Sequence, residues 1–449
     1  MLQYEDYKDS QIDWLSQIPS HWEEKKLKHI TRIDNSGDFG LDPEFGDRQY
    51  PVATTAQISN DGVFDVDKMP IRGFYAREAE RYSCKEGDIL VVKSSGSIAN
   101  VISGKAGIVD KETPEFIFSN FLLRLAPMPS TTCAKYIYYL VSGYLTRERV
   151  NRMVAGSTYP NLRVGEYVSA LLPFPPLNEQ NSIAAFLDRK TAQIDQAVAI
   201  KEQQIALLKE RKQILIQNTV TRGLNPDAPM RDSGVEWIGE IPEHWEVRRS
   251  KFVFGQRKEL AWKDDVQLSA TQAYGVIPQE LYEEKTGYRV VKIQFHLEKR
   301  KHVEVDDFVI SMRSFQGGLE RAWSRGCIRS SYVVLRPLLE VDAGYFGRLF
   351  KSPRYISALQ ATANFIRDGQ DLNFENYSLV DLILPPLPEQ REIAERIDAE
   401  SAKIDKAIDL QQQQIDRLKE YKSTLINSAV TGKIKVPGVE EHTHDTEVA

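Results

Sequence analysis

The strongest constraint on the fold of this chain is an internal repeat. The segment SQIDWLSQIPSHWEEKKLK at Ser10–Lys28 returns as SGVEWIGEIPEHWEVRRSK at Ser233–Lys251, and a longer block at Leu172–Thr221 returns at Leu382–Thr431. A repeat of this length means that one structural unit is used twice. We therefore predict two similar halves, each built from a Trp-containing lead, a variable body, a Pro-rich hinge and one long helix.

The second repeated block predicts the long helix of each half. Residues 178–219 contain neither Gly nor Pro, so we expect one continuous helix of about 40 residues and about 60 Å. Both helices carry apolar residues at seven-residue intervals, with further apolar residues beside them: Leu187, Ile194, Leu208 and Leu215 with Ile183, Val198 and Ile205, and Ile397, Ile404, Leu418 and Leu425 with Ile393, Ile408 and Ile415. Polar Lys201 and Gln411 interrupt the two stripes, where they would fix the register of a helix pair. A helix lying on a globular core would explain one stripe, whereas two matching stripes predict that the helices pair with each other.

The two variable bodies have the pattern of mixed α/β structure. Segments rich in β-branched and aromatic residues predict strands at Gly87–Lys93, Phe116–Leu125, Asp306–Arg313 and Ser331–Leu338. A short amphipathic helix is predicted near the end of each body, at Ala134–Met153 and at Tyr345–Thr362. The polar segment after Thr431 is predicted to be disordered.

Composition and charge exclude several classes of protein. Cys84, Cys133 and Cys327 are far apart and form no CxxC pair, so we expect free thiols without a disulfide framework or zinc knuckle. There is no apolar run of about 18 residues and no signal-like N-terminus, so we expect a cytoplasmic protein with no membrane contact. The net charge is −6, and the acidic segment after Pro437 contributes four of those charges, so a strongly basic nucleic-acid footprint is absent.

No catalytic motif is complete in this sequence. The segment Ser95–Gly107 fails as a phosphate-binding loop, since Ala106 stands where the motif needs Ser or Thr. There is no Asn-Pro-Pro-Tyr or Asp-Pro-Pro-Tyr tetrapeptide of an amino-methyltransferase and no strand–GxGxxG–helix unit. His21 and His244 lie in the repeated lead, where packing on Trp or a capping role is expected. His442 and His444 offer at best an adventitious metal site, so no metal is predicted.

The repeated residues carry a family resemblance. The duplicated Ile-Pro-x-His-Trp leads, the Pro-Pro-Leu-x-Glu-Gln hinges at Pro175–Gln180 and Pro385–Gln390 and the long helix after each hinge resemble the specificity subunit of type I restriction-modification systems, from Ser10 to Thr431. The resemblance implies an α/β (α+β) fold with a pseudo-two-fold repeat, in which an antiparallel coiled-coil spacer separates two target recognition domains and each lead packs near the end of the other half's helix. The implied domains are 1–175 (first recognition domain with its lead), 176–222 (long helix), 233–385 (second recognition domain), 386–432 (long helix) and 433–449 (disordered acidic tail).

The resemblance also implies the function and the partners. Members of this family are not enzymes: they bind a bipartite sequence in double-stranded DNA and dock two modification (methyltransferase) subunits and restriction subunits, in defence against foreign DNA. No cofactor is expected in this chain, because S-adenosylmethionine, ATP and Mg belong to the partner subunits. Two alternatives are a non-catalytic coiled-coil scaffold that binds other proteins, and a solitary nuclease or methyltransferase with a divergent active site.

Candidate DNA-binding residues lie in three pairs of matching segments. Glycine permits close backbone approach, Arg and Gln are the usual partners of guanine and adenine, and hydroxyl groups and Lys contact phosphates or base edges. The candidates are Thr54, Thr55 and Gln57 with Thr271, Gln272 and Tyr274; Lys93, Ser94, Ser95 and Ser97 with Arg313, Ser314 and Gln316; and Tyr159, Asn161 and Arg163 with Arg367, Gln370 and Asp371. The alternatives are ordinary turns between strands and helix capping by Asn or Asp.

Overall fold

The chain forms two compact units. The computed structural model describes residues 2–59, 61–93, 102–143, 161–293, 295–362 and 372–439. The first unit comprises Met1–Lys201 and Gln413–Ala449, and the second comprises Glu202–Gln412. Each unit therefore contains a lead, a body and one part of each long helix, although the domains predicted from the sequence place each long helix in a single segment.

The first unit is built on antiparallel strands with short helices. Its strands are β1 (Tyr7–Asp9), β2 (Gln17–Pro19), β3 (Glu23–Lys26), β4 (Thr31–Asp34), β5 (Arg48–Ala53), β6 (Ile71–Phe74), β7 (Ile89–Val92), β8 (Ala106–Ile108), β9 (Ile117–Phe118), β10 (Leu122–Pro127) and β11 (Leu171–Phe174). Its helices are α1 (Leu27–Ile30), α2 (Ala76–Tyr82), α3 (Ala134–Ser142), α4 (Val164–Val168) and the first part of α5 (Leu177–Arg222), with 3-10 turns at Thr55–Gln57 and Val66–Lys68.

The second unit repeats this plan. Its strands are β12 (Met230–Asp232), β13 (Glu240–Pro242), β14 (Glu246–Arg249), β15 (Phe254–Arg257), β16 (Leu268–Thr271), β17 (Gly275–Pro278), β18 (Lys301–Val303), β19 (Phe308–Ile310), β20 (Glu320–Arg321), β21 (Gly326–Ile328), β22 (Val333–Pro337) and β23 (Asp381–Leu384). Its helices are α6 (Ser250–Val253), α7 (Gln279–Thr286), α8 (Ser314–Gly317), α9 (Ala343–Leu349), α10 (Pro353–Ala361), α11 (Phe374–Ser378) and the first part of α12 (Leu387–Val430), with a 3-10 turn at Leu297–Lys299.

The sheets show how closely the two units correspond. Four strands form the main antiparallel sheet of each unit, in the order β4-β10-β7-β8 in the first and β15-β22-β19-β20 in the second. The interior strands β7 and β19 are entirely buried, as their uninterrupted apolar residues require. Each lead contributes a hairpin, β1-β2 or β12-β13, and a strand that pairs with the strand before the hinge, β3 with β11 or β14 with β23. The predicted repeat and the mixed α/β class are confirmed.

A carboxylate, buried in the first unit and partly buried in the second, joins each lead to the first turn of a long helix. In the first unit, Glu179 accepts hydrogen bonds from the Trp22 Nε1–H (3.0 Å) and from the Tyr4 hydroxyl, and it lies 2.9 Å from His21 Nε2. In the second unit, Glu389 accepts from Trp245 Nε1–H (3.0 Å) and lies 2.8 Å from His244 Nε2. Both carboxylates lie in the first turn of a helix, where the helix dipole favours negative charge. The packing role expected for the two histidines is therefore confirmed.

Each unit also contacts the C-terminal end of the long helix that begins in the other unit. In the first unit, the Tyr7 hydroxyl donates to the Gly432 carbonyl oxygen (3.0 Å), and Gly432 is so close to Trp22 and Pro19 that a side chain at this position would clash with Pro19. In each unit a tyrosine donates to a carbonyl in the last turn of a long helix. In the first unit, Tyr136 of α3 donates to the Val430 carbonyl oxygen (3.2 Å), and in the second unit, Tyr345 of α9 donates to the Val220 carbonyl oxygen (2.9 Å). These carbonyls have no partner within their own helix. The expected packing of each lead near the end of the other half's helix is confirmed.

Within each unit the two helix segments run antiparallel. In the first unit, Lys422 pairs with Asp195 (2.7 Å) and the Lys201 ammonium donates to the Gln414 side chain. In the second unit, Lys212 pairs with Asp405 (2.7 Å). Residues from both predicted stripes are buried along these segments, among them Leu187, Ile194, Ile397 and Leu425. The predicted pairing of the two helices is confirmed.

Two predicted elements are corrected by the structure. The single helix expected at Tyr345–Thr362 is two helices, because the Ser352 side chain caps a new helix whose first residue is Pro353. The disordered tail expected from 433 onward is wrong for residues 433–439: the Lys435 N–H donates to the Leu2 carbonyl oxygen (2.9 Å) and Val436 is buried. Residues 440–449, including His442 and His444, lie outside the described residues.

The structure also bears on the expected thiols and on membrane contact. Cys84, Cys133 and Cys327 are free, as the sequence predicts. In the part of the chain that the structure describes, no helix carries an apolar stretch long enough to cross a bilayer.

The different burial of the two carboxylates gives a prediction about stability. Replacing Glu179 by Ala leaves the buried Trp22 N–H and Tyr4 hydroxyl without an acceptor, so we expect the free energy of urea-induced unfolding to fall by about 2–4 kcal/mol. Glu389→Ala serves as the matched variant: its carboxylate is 24% exposed, so water replaces part of what is lost and the decrease should be smaller. Equal losses in the two variants, or none for Glu179→Ala, would contradict this role.

Candidate nucleic-acid interface

In the second unit, three segments that are distant in sequence meet at the surface. The β16–β17 turn contains Gln272, whose amide donates to the Arg313 carbonyl oxygen (3.2 Å) at the start of α8. The same Gln272 side chain lies against Gly317, so a Cβ at this position would displace it. The Trp323 N–H donates to the Val276 carbonyl oxygen (3.0 Å), which places the segment after β20 beside the same turn. Two of the predicted DNA-binding segments are therefore adjacent.

The exposed side chains of this site have the chemistry for reading DNA. Gln272, Tyr274, Arg313 and Gln316 are all exposed. Arg and Gln offer the donors and acceptors that recognise guanine and adenine edges, and an aromatic ring can stack on a base or pack on a sugar. The Lys285 ammonium lies 5.6 Å from the centre of the Tyr274 ring and adds positive charge beside the turn.

Trp323 is a candidate that the sequence did not reveal. Its side chain is 53% exposed, and the Arg321 guanidinium lies 4.3 Å from its ring centre. Arg321 is held by an ion pair with Asp306 (2.7 Å), so the cation and the ring are both positioned. Trp323 lies outside the candidate segments predicted from the sequence, and its contacts with Val276 and Gly275 bring it to the site.

Two of the predicted DNA-binding residues form hydrogen bonds within their own segments. Ser314 is fully buried and its hydroxyl accepts a hydrogen bond from the Ser311 N–H (2.8 Å), so its prediction as a DNA contact is corrected. The Thr271 hydroxyl donates to the Gly275 carbonyl oxygen (3.1 Å) and accepts from the Tyr274 N–H (3.0 Å), which closes the turn. Thr271 therefore shapes the loop that presents Gln272 and Tyr274.

In the first unit, the segment after β7 meets the segment before the hinge. The Leu162 N–H donates to the Lys93 carbonyl oxygen (2.6 Å), so Lys93 lies beside the exposed Asn161 and Arg163. The Lys93 ammonium donates to the Asn35 backbone and side-chain oxygens (3.0 and 2.9 Å). Partial burial lowers the pKa of Lys93, although the nearby Asp34 carboxylate acts in the opposite direction. Arg163 pairs with Glu166 (3.1 Å) and keeps most of its surface in solvent.

The early segment of the first unit forms a capped 3-10 turn. The Gln57 side-chain oxygen accepts from the Thr54 N–H (3.0 Å) and from the Thr54 hydroxyl (2.6 Å), and its amide donates to the Lys68 carbonyl oxygen (3.3 Å). Thr55 is half-buried in the same turn. These contacts cap the turn, and the DNA-binding roles of Thr54, Thr55 and Gln57 stay predictions.

The remaining predicted residues cannot be located in either unit. Ser94, Ser95, Ser97, Tyr159, Arg367, Gln370 and Asp371 lie outside the described residues. Among the described residues there is no group of three or more His, Cys, Asp or Glu side chains arranged to hold a metal ion.

Comparisons with known proteins point to one family. Residues 19–210 match the model of the type I restriction modification DNA specificity domain. The putative type I restriction enzyme MjaX specificity subunit of Methanocaldococcus jannaschii is 24% identical over 453 residues, which cover 96% of this chain and 97% of that protein. The EcoKI specificity subunit of Escherichia coli is also 24% identical, over 78% of this chain and 75% of that protein. The chain is therefore similar to type I specificity subunits over almost its whole length.

Two solved structures share the fold of this chain. One is a chain from a study of complex assembly and conformational transition in the type I restriction-modification system, with a TM-score of 0.65 and 15% identity over 93% of this chain and 99% of that chain. The other is the HsdS subunit from Thermoanaerobacter tengcongensis, with a TM-score of 0.51 and 14% identity over 93% and 98%. At these identities, the likeness bears on the fold alone.

Arg313 provides a direct test of the site in the second unit. If its guanidinium makes a bidentate base contact, we expect Arg313→Ala to weaken recognition at one half-site by about 1–3 kcal/mol and to relax the preference at one base pair. Arg313→Lys should behave in the same way, because lysine keeps the charge but loses the bidentate geometry. The measurement is the binding of single-base variants of the target.

The control is Arg348→Ala, which removes an exposed arginine of α9 that is paired with Asp398, away from the three segments. Loss of affinity that is uniform across all sequences would reassign Arg313 to a phosphate, and no change in either variant would remove it from the interface.

Proposed function

We propose that this chain is a type I specificity subunit that binds a bipartite sequence in double-stranded DNA, with one half-site read by each unit. The observation that carries this proposal is that two units with the same sheet order and the same lead each hold their own surface loops. In the second unit these loops present Gln272, Tyr274, Arg313 and Gln316 together. Two readers of similar architecture are what a target with two separated half-sites requires.

We further propose that the partners are two modification subunits and the restriction subunits, which bind S-adenosylmethionine, ATP and Mg. This follows the family and the low charge of the chain. Because phosphate contacts dominate affinity for DNA, a chain with a net charge of −6 needs additional positive charge from its partners. Such a complex would act in the cytoplasm.

Apolar side chains on the helix pair of the second unit support this docking. Leu207 and Ile214 are seven residues apart on α5, and Leu410 lies on α12; all three are more than half exposed. Leu207 lines a groove of about 430 Å³ together with Leu208, Arg211, Ala407 and Gln411. Exposed apolar residues on one face of a helix mark an interaction surface, and we assign this one to a modification subunit.

Exchange of one body tests the proposed function. Replacing Lys28–Leu172 by the body of a relative should change one half of the recognised sequence and leave the other unchanged. Its two junctions lie next to β3 and within β11, whose pairing is made by backbone hydrogen bonds. The complementary control replaces Lys251–Leu382, which should change only the other half. Mapping of methylated sites in the presence of modification subunits gives the result, and a change of both halves by one exchange would refute independent reading.

The docking face gives a separate prediction. Leu207→Glu combined with Ile214→Glu places two charges on the exposed apolar face, so we expect the complex to retain one modification subunit instead of two, as measured by native mass spectrometry. Gln213→Glu is the control, since it adds a charge at an exposed neighbouring position of the same helix. If two modification subunits still bind the double variant, the face serves another purpose.

A further inference from the structure

The second unit contains a cationic pocket whose lining includes none of the residues of the candidate nucleic-acid interface. It has a volume of about 380 Å³ and is lined by residues before β18 and after β21: Ile293, Phe295, His296, Lys299, Arg300, Arg329, Ser330 and Ser331. Three of these side chains are permanent cations and two are hydroxyls, and among the described residues that line it none is Asp or Glu. An anion would therefore find charge and hydrogen-bond donors together.

Arg300 is the buried group of this pocket. Only 6% of its surface is exposed, and its Nη1 is buried without a hydrogen-bond partner among the described residues. The Arg300 side chain also interacts with the Cys327 thiol. The unpartnered Nη1 is still costly, because this charged donor has lost water without gaining an acceptor. A bound anion would supply the missing acceptor.

The strand register places a second cation opposite Arg300. Strand β18 pairs antiparallel with β21, and Lys301 faces Ile328. The next positions outward on the two strands are Arg300 and Arg329. Like charges facing each other across a strand pair are destabilising. An anion held between them would remove this repulsion and would explain why the fold tolerates the arrangement.

Strand β16 fixes the distance between the pocket and the β16–β17 turn that contains Gln272. The Gln267 amide donates to the Ile293 carbonyl oxygen (2.9 Å) and accepts from its N–H (3.3 Å), which attaches the pocket wall to the residue before β16. The other end of β16 continues directly into Gln272. Five residues of extended chain span about 16 Å, and DNA rises about 3.4 Å per base pair, so the separation corresponds to about five base pairs.

We propose that the pocket formed by Lys299, Arg300 and Arg329 binds a phosphate group, and that in the DNA complex this is a backbone phosphate about five base pairs from the base beside Gln272. Arg300 donates from the buried end of the pocket, and the exposed Lys299 and Arg329 approach the phosphate from the rim. The exposed ring of Phe295 lies where a deoxyribose would follow. The DNA part of this proposal rests on the proposed function, whereas the affinity for phosphate does not.

The first measurement uses the complex with modification subunits and DNA carrying its target. The double variant Lys299→Ala, Arg329→Ala should bind about tenfold more weakly, and the slope of log affinity against log salt should become shallower by about 1. The preference between target and altered target should not change, since a phosphate carries no sequence information. Lys292→Ala is the control, because this exposed lysine of the same segment pairs with Glu280 (3.2 Å) and does not line the pocket.

The second measurement uses the chain without DNA and inorganic phosphate as the probe. Phosphate should raise the thermal unfolding midpoint of the parent and of Lys292→Ala more than that of the double variant, and the difference removes the general effect of the salt. Both replaced residues are exposed, so the double variant should unfold as the parent does when phosphate is absent.

The combined results separate the sources of the phosphate. A shallower salt slope in the double variant supports a DNA phosphate. An unchanged slope with a lost phosphate effect keeps the pocket as a site for free phosphate and overturns the DNA contact. If neither measurement distinguishes the double variant from the parent, the proposal is wrong. If the parent complex shows no sequence preference, the proposed function fails, while the phosphate measurement still decides the pocket.

Discussion

The hydrogen bonds of Glu179 and Glu389 are the constraint on which both units depend. Each carboxylate is at the first turn of a long helix and accepts the indole N–H of the Trp in a lead. The tyrosines Tyr136 and Tyr345 then reach carbonyls near the end of the other helix. Each unit is therefore closed by contacts between segments that are far apart in the chain, and a body is held between a lead and two helix segments whose sequences repeat.

This closure explains how the bodies can differ while the framework stays the same. The main sheets have the same order, and the lead strand pairs in the same way with the strand before the hinge. Around these sheets the bodies diverge: the first has a three-stranded sheet that contains the parallel pair Val52–Ile117, and the second has two separate two-stranded sheets, β16–β17 and β18–β21. Surface loops can change without disturbing the buried carboxylates, so recognition can vary without loss of the fold.

Positively charged side chains of the second unit form small clusters at its surface. The chain as a whole is acidic, yet Lys285 and Arg321 lie beside the aromatic rings of Tyr274 and Trp323, and Lys299, Arg300 and Arg329 share one pocket. Local clusters in an acidic protein limit non-specific attachment to DNA, because affinity for phosphates grows with the number of charges in contact.

The sequence by itself determined the framework. The repeat, the two helices, their pairing and the buried strands follow from local patterns, because helix period, strand period and repeated segments are visible in a single chain. It also indicated the surface segments that contain Gln272 and Arg313. The tertiary structure was needed to show that Ser314 is buried, that Trp323 lies at the site, that a Pro-started helix divides Tyr345–Thr362 and that Arg300 and Arg329 line one pocket. These outcomes depend on contacts between residues far apart in the chain, and no local pattern records which distant residue will occupy the neighbouring space.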